Sequence, residues 1–288
     1  MTLPRLEPLE PRLALSAGVA PALPRPDHVV VVVEENHSYG DVLGDASMQI
    51  PSVVPNFRST DPFIRSLARH GASLRRMSAE THPSQPNYLA LFSGSTQGVT
   101  SDATPREPFT APNLAAELIA AGLSFAGYSE SMPAAGFTGS EADGGLYARK
   151  HNPWVDFADV PASANQPFAS FPTRKDFDSL PTVSFVVPNQ ANDMHSGSIR
   201  TADDWLRRHV RPYLKWARRH NSLLVVTWDE GNGDDNHIAT VLAGAHVRAG
   251  PSDQQANHYS LLRTIEDMYG LTHAGAAADA GPLTGVWA

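Results

Sequence analysis

Several short stretches of this 288-residue chain join an apolar run to groups that bind cations or move protons. Val29 to Val33 lead into Glu34, Glu35, Asn36 and His37. Thr182 to Val187 stop at Pro188 and deliver Asn189, Asn192, Asp193 and His195. Ser222 to Trp228 hand over to Asp229 and Glu230, and Asn236 and His237 precede the run Ile238 to Leu242. Brought together, Glu35, Asn36, Asp229 and Glu230 would make an oxygen-rich environment suited to a divalent cation. Without a cation the same carboxylates repel one another and hold raised pKa values. A hydroxyl beside such an ion loses its proton more readily and becomes a nucleophile. Ser84, within Thr81-His82-Pro83-Ser84-Gln85-Pro86-Asn87, is the candidate. Pro83 suits the first turn of a helix, where free backbone N–H groups favour an anion. A serine in that place is equally an ordinary helix cap.

Some framework must carry these groups to one place. Five valines without polar alternation are what a strand buried on both faces of a parallel sheet requires. In open α/β sheets ligands bind outside the carboxyl ends of the strands, where Glu35, Asn36 and His37 fall. From this stretch alone, a core strand followed by a solvated loop reads the same way. Helical spacing is present over Asp61 to Gly71, after Pro83 with Tyr88 to Phe92 as the apolar body, and over Asn113 to Ala121 before Gly122. Thr201 to His220 reads as one long amphipathic helix, and a last one follows His258 and ends at Gly270. Short strands are expected around Ala72 to Met77 and Ser124 to Tyr128, so helices and strands alternate as in an α/β fold with a mostly parallel sheet.

The formal net charge of −8 argues against nucleic acid as a partner, since binding a phosphate backbone calls for a basic patch. A small phosphorylated substrate remains compatible, because a bound cation inverts the local field. The chain has no cysteine, which removes disulfides and thiolate chemistry. Met1 to Pro26 carry Pro4, Pro8, Pro11, Pro21, Pro24 and Pro26 and read as an extended arm. Glu7, Glu10 and Pro21 do not suit a signal peptide, and no run is long enough to span a bilayer, so the chain as written reads as soluble and cytoplasmic. Ser129 to Leu180 are rich in Gly, Pro, Ser and Ala with isolated aromatics, and a connection of that length is expected to cover a site as a loop or lid. Within it Lys150 and His151 are placed either to reach a phosphate or to be solvated. No G-x-S-x-G elbow, H-E-x-x-H, Walker motif or strand-linked G-x-G-x-x-G is present. A glycosidase built on Asp229 and Glu230 would leave Ser84, Asn36 and the histidines without roles.

Taken as a set, VVVVVEENHSYGDVLG, THPSQPNYLALFSG, KHNPW, VVPNQANDMH, VVTWDEGNGDDNHIATVLAG and NHYSLLRTIEDMYGL resemble the phosphoesterase family of bacterial and fungal acid phosphatases and phospholipases C. That family lies in the alkaline phosphatase-like superfamily, and the resemblance runs from Asp27 to about Leu271. It implies a three-layer α/β/α sandwich around a mostly parallel sheet, occupying residues 27–275 between an arm (1–26) and a tail (276–288), with 129–180 as the lid. It implies one divalent ion held by Glu35, Asn36, Ser84, Asp229 and Glu230; the oxygen donors admit Mg, Mn, Ca, Fe or Zn. Ser84 matches the nucleophile that becomes phosphorylated. His82, Asn87 and His151 match positions near the phosphate beside Lys150, and His195 matches a stabiliser or leaving-group acid. Asp193, His237 and His258 match supporting positions. Secretion is common in the family.

The phospholipase branch of that family has Glu-Asn-Arg-Ser-Phe-Asp where this chain reads Glu35-Asn36-His37-Ser38-Tyr39-Gly40, and Asp-His where it reads Asn236-His237. It also favours threonine at the position of Ser84. The expectation is therefore a metal-dependent phosphomonoesterase. A phosphodiesterase or phospholipase C of the same chemistry, and a non-catalytic binding module on the same scaffold, are the alternatives.

Overall fold

In the computed structural model of the chain, which describes residues 23–44 and 61–288, the valine run becomes β1 (His28–Glu34), buried on both sides. The other strands are β2 (Ala72–Ser78), β3 (Phe125–Ser129), β4 (Glu141–Ala142), β5 (Tyr147–Ala148), β6 (Asn165–Pro167), β7 (Val183–Val187), β8 (Ser222–Trp228), β9 (His237–Gly244), β10 (Gly250–Ser252) and β11 (Ala256–Asn257). Apart from the β4–β5 hairpin they form one nine-stranded sheet, ordered β10-β2-β9-β8-β1-β7-β3-β6, with β11 also on β2. Among the described residues β9 alone runs against its neighbours in that sheet. β1 lies between β7 and β8, parallel to both. Glu34 is level with Trp228, so Glu35 and Asp229 leave the sheet side by side.

The helices are α1 (Tyr39–Leu43), α2 (Pro62–His70), α3 (Ser84–Ser93), α4 (Leu114–Ala120), α5 (Ile199–His209), α6 (Arg211–Ala217) and α7 (His258–Tyr269). α3 packs on α7 on one face of the sheet, while α2, α5 and α6 pack together on the other, giving the three-layer α/β/α sandwich. Every residue of α3 is buried, the polar Ser84, Gln85, Asn87 and Ser93 included. Gly94 ends α3 in the left-handed region, where a Cβ would lie 1.9 Å from the Ala274 carbonyl oxygen.

The single helix expected over Thr201 to His220 is two. α5 stops at His209 and α6 starts at Arg211, because Pro212 has no N–H to donate and its ring collides with the carbonyl four residues earlier. The apolar face survives the break, with Trp205, Leu206, Tyr213 and Leu214 all buried.

Residues 129–180 are not an open loop. They run through short 3-10 turns, and β6 adds to the sheet beside β3. Trp154 is buried against Phe125 and Phe185, and its Nε1 donates to Asn165 Oδ1 at 2.8 Å. A Cβ on Gly127 would lie 2.1 Å from that indole, so the glycine is what lets the ring lie against β3. Burying an aromatic of this size contributes about 4–6 kcal/mol at most, enough to anchor the segment. The tail is integrated too: Leu283 and Val286 are buried, Leu283 N–H donates to Thr264 Oγ1 at 2.8 Å, and Val247 bridges Trp287. Most of the expected arm lies outside the described residues; Arg25, within its described end, donates from Nη1 to the Tyr269 carbonyl at 3.2 Å. No helix among the described residues is long and apolar enough to cross a membrane.

Candidate active site

Three parallel strands are laced together where they end. Glu35 N–H donates to the Asp193 carbonyl (2.8 Å) and Asp229 N–H to the Glu34 carbonyl (3.0 Å), while Asn36 N–H reaches Asp229 Oδ1 (3.1 Å). Asn36 has φ 41°, in the left-handed region that asparagine tolerates better than most residues, and its amide turns back over the strand ends. Opposite them stands the first turn of α3. Its approach is fixed by Asn87, whose Oδ1 accepts from Glu80 N–H and Thr81 N–H and whose Nδ2 donates to the Thr81 and Pro83 carbonyls.

Ser84, the first residue of α3, is buried with its hydroxyl among acidic and amide oxygens. Its Oγ lies 3.1 Å from Glu35 Oε2, 3.3 Å from Asn36 Oδ1 and 3.3 Å from Glu230 Oε1. One hydroxyl proton cannot serve three acceptors at once. Turned over, the Asn36 amide would instead donate to Ser84 Oγ, Glu35 Oε2 and Glu230 Oε1 at 3.0–3.3 Å. The centre thus needs positive charge or protons in its middle, and oxygen donors of this kind fit a hard divalent cation.

The electrostatics say the same. Burial holds Glu35 well above the usual carboxylate range, Asp229 and Asp193 push it further, and Tyr88 and Lys150 pull it back. Asp229 is raised by burial and by Glu230; Glu230 is raised by burial and drawn down by His82, whose Nδ1 is 2.5 Å from Glu230 Oε2. Tyr88 O–H donates to Glu35 Oε1 in a short bond. His151 Nε2 lies 3.2 Å from the same oxygen, and its Nδ1 lies 3.8 Å from Asp193 Oδ2. Burial, then Lys150 and His195, push His151 well below its ordinary range, so the ring is neutral and able to ligate. Glu35, His151 and Asp193 bring one ligand atom each to within 4.8 Å of one another, a second arrangement that could hold a metal ion.

Of the residues expected from sequence, Glu35, Asn36, Ser84, Asp229, Glu230 and His82 meet directly, and His151 joins through Glu35. Lys150 approaches from the same 3-10 turn as His151; although burial opposes its charge, Asp102 and then Glu35 hold its pKa up. His195 is exposed, its ring centred 6.1 Å from that of His151. Asp193 is buried behind His151. Three others make their bonds one step away from Ser84. Asn87 braces the turn before α3, His237 stacks on Tyr39 and bonds the Arg75 carbonyl, and His258 is buried with Nε2 3.0 Å from the Trp228 carbonyl. Two contributors were missed. Tyr88 lies one helical turn after Ser84, a spacing that puts both on one face, but it reads as core. Asp102 is a lone acid in a loop, and nothing in its neighbours marks it.

The chain matches the model of the phosphoesterase family over residues 52–272, and it belongs to that family, among the phosphoric ester hydrolases. A phosphatidylinositol-3-phosphatase of Mycobacterium tuberculosis is 48% identical over 278 residues, covering 96% of this chain and 87% of that protein. A phosphate-repressible acid phosphatase of Penicillium chrysogenum is 32% identical over 230 residues, 75% of this chain; the match spans 56% of the fungal protein. Among solved structures, a member of the alkaline phosphatase superfamily from Vibrio parahaemolyticus aligns with a TM-score of 0.61 at 11% identity, covering 88% of this chain and 70% of that one. A phosphonate monoester hydrolase from Silicibacter pomeroyi aligns with a TM-score of 0.56 at 14% identity, covering 89% and 76%. At such identities the likeness is one of fold, and the fold is that of the alkaline phosphatase superfamily.

Proposed function

We propose that the chain hydrolyses phosphate monoesters through a phosphoserine at Ser84, with one divalent cation held by Glu35, Asn36, Asp229 and Glu230. The observation that carries this reading is the convergence of Glu35, Asn36 and Glu230 oxygens on Ser84 Oγ at 3.1–3.3 Å, at the start of a buried helix. When bound, the cation would supply positive charge that lowers the pKa of the serine hydroxyl and offsets charge on the phosphoryl oxygens. Ser84 Oγ releases its proton to bulk water as it attacks phosphorus, and the bond from phosphorus to the leaving alcohol oxygen breaks. His82 or His195 gives that oxygen its proton. Water then attacks the phosphoserine, frees inorganic phosphate and returns the hydroxyl. Lys150 and the first turn of α3 hold the phosphoryl oxygens during both steps. Tyr88 and His151 keep Glu35 in place.

Residues 27–275 act in this reading as one catalytic unit, with 129–180 forming the wall that brings Lys150 and His151. The cationic groups around the opening suit a dianionic monoester better than a diester. The names of the relatives point the same way, and a phosphoinositide 3-phosphate is the first natural substrate to assay. The test compares p-nitrophenyl phosphate with its bis-ester, before and after chelation and metal reloading, and traps labelled phosphoserine by acid quench. Metal-dependent turnover of the monoester with label on Ser84 is expected. Faster turnover of the bis-ester would make the enzyme a phosphodiesterase, and silence on both after reloading would leave a binding module.

A further inference from the structure

We infer that Asp102 is a resident carboxylate in the anion pocket, which competes with the phosphoryl group for its two donors and so limits how tightly phosphate is held. The inference rests on Ser84 being the nucleophile. Asp102 Oδ1 accepts from Gln85 N–H at 3.1 Å. That amide follows Ser84 directly and is one of the free N–H groups at the start of α3, the groups expected to hold a phosphoryl oxygen. Asp102 Oδ2 accepts from Lys150 Nζ at 2.8 Å, an ammonium whose charge acts on Glu35. The two oxygens of one carboxylate therefore occupy the donors that two oxygens of a phosphoryl group would use.

Placement supports this beyond the two bonds. Lys150 feels the charges of Glu35 and Asp229, and Glu230 and His195 both feel Asp102, so the pair lies within the field of the centre. The loop is held there by Gln85 Nε2, which donates to the Ala103 carbonyl at 3.0 Å. Asp102 is nevertheless one-third exposed, at 34%, against 17% for Lys150. A partly exposed ion pair is weak. A phosphate dianion forms charge-assisted bonds to the same donors and can displace it. Asp102 thus disfavours a phosphate-bound enzyme and speeds release of the inorganic phosphate that the reaction produces.

The test uses the full chain loaded with metal and the substitution Asp102→Asn. This keeps an oxygen for Gln85 N–H and removes the negative charge. The competitive inhibition constant of inorganic phosphate should fall about tenfold, with KM for p-nitrophenyl phosphate falling alongside it. In a Lys150→Ala background the same substitution should change that constant less than about twofold, since Asp102→Asn keeps the bond from Gln85 N–H and the other donor, which it would free, is gone. An unchanged or raised constant in Asp102→Asn would overturn the inference and make Asp102 only a holder of Lys150. Should Asp102→Asn lose its fold by circular dichroism, Asp102→Ser provides the same comparison. Phosphate binding is also measured by calorimetry. If Ser84→Ala still turns over substrate, the nucleophile reading falls, while a tighter phosphate isotherm for Asp102→Asn would still support competition at the pocket and an unchanged one would still refute it.

Discussion

Glu34 is the last residue of β1 and Glu35 follows it directly; both are without solvent exposure, and they point to opposite faces of the sheet. On the α3 face, Glu35 accepts from Ser84 and Tyr88 and faces His151. On the α5 face, neither carboxylate oxygen of Glu34 has a hydrogen-bond partner among the described residues. Burial raises the pKa of both groups well above the ordinary range, and in both cases other acids add to it. For Glu34 those acids are Asp193, Glu130 and Asp203. A buried, perturbed acid is therefore no mark of a site by itself. The difference lies in convergence, because Glu35 meets the Ser84 hydroxyl and the Tyr88 phenol of α3 and faces His151, and Glu34, among the described residues, meets only like charge.

Substitutions should separate the two faces. The largest effect is expected at the point of convergence: Ser84→Ala should lower kcat by about four to six orders of magnitude, with an unchanged circular dichroism spectrum. Wild-type turnover in that variant would end the assignment of the nucleophile. Next, Glu35→Gln should cost about 100-fold or more in kcat/KM and weaken the retention of metal on dialysis. Glu34→Gln should stay within about threefold of wild type, since the carboxylate it alters touches none of the reacting groups. Equal losses in the two variants would mean that the faces are coupled through β1 and that convergence does not distinguish them.

Much of this contrast can be read from the chain before any coordinates. The five valines announce a central parallel strand, and the runs ending in Asp229 and Glu230 or leading to Asp193 announce its neighbours, because strands buried on both faces have an unmistakable composition. Which polar residues meet is harder. Glu35, Asn36, Ser84 and Glu230 come from elements far apart in sequence, and their meeting is legible only as a family pattern. Asn87 sits in that pattern yet braces a turn, since a short amide three residues into a helix reaches the backbone before it. His237 and His258 show that histidine beside a site motif is also good packing material. Pro212 was visible and should have divided the helix expected over Thr201 to His220; the strong apolar face on both sides of it concealed the break. Asp102 had no signal, because its role depends on where a loop lands.

The smallest expected effect concerns a buried acid remote from Ser84. Glu266, on α7, is fully shielded; Oε1 accepts from Ala274 N–H at 2.8 Å and Oε2 has no partner among the described residues. Burial raises its pKa to about 8 from an ordinary 4.5, Glu117 adds to the rise and Ala274 opposes it. The folded chain thus keeps this proton up to about pH 8, whereas the unfolded chain releases it near 4.5. Between those values the folded state binds more protons, so the stabilising contribution of the neutral carboxyl is complete below about 4.5 and is lost as pH rises through about 8. Glu266→Gln retains an oxygen for Ala274 and removes the titration. Its melting temperature should equal that of wild type near pH 4, gain on it as pH rises, and level off above about 8 with a lead of about 8 °C at most. Thermal melts at matched ionic strength measure this difference, and the titrations common to both proteins, including those of the active site, cancel from it. A lead independent of pH would show that Glu266 is ionised in the fold, and that burial beside Glu117 does not hold a proton on this carboxyl.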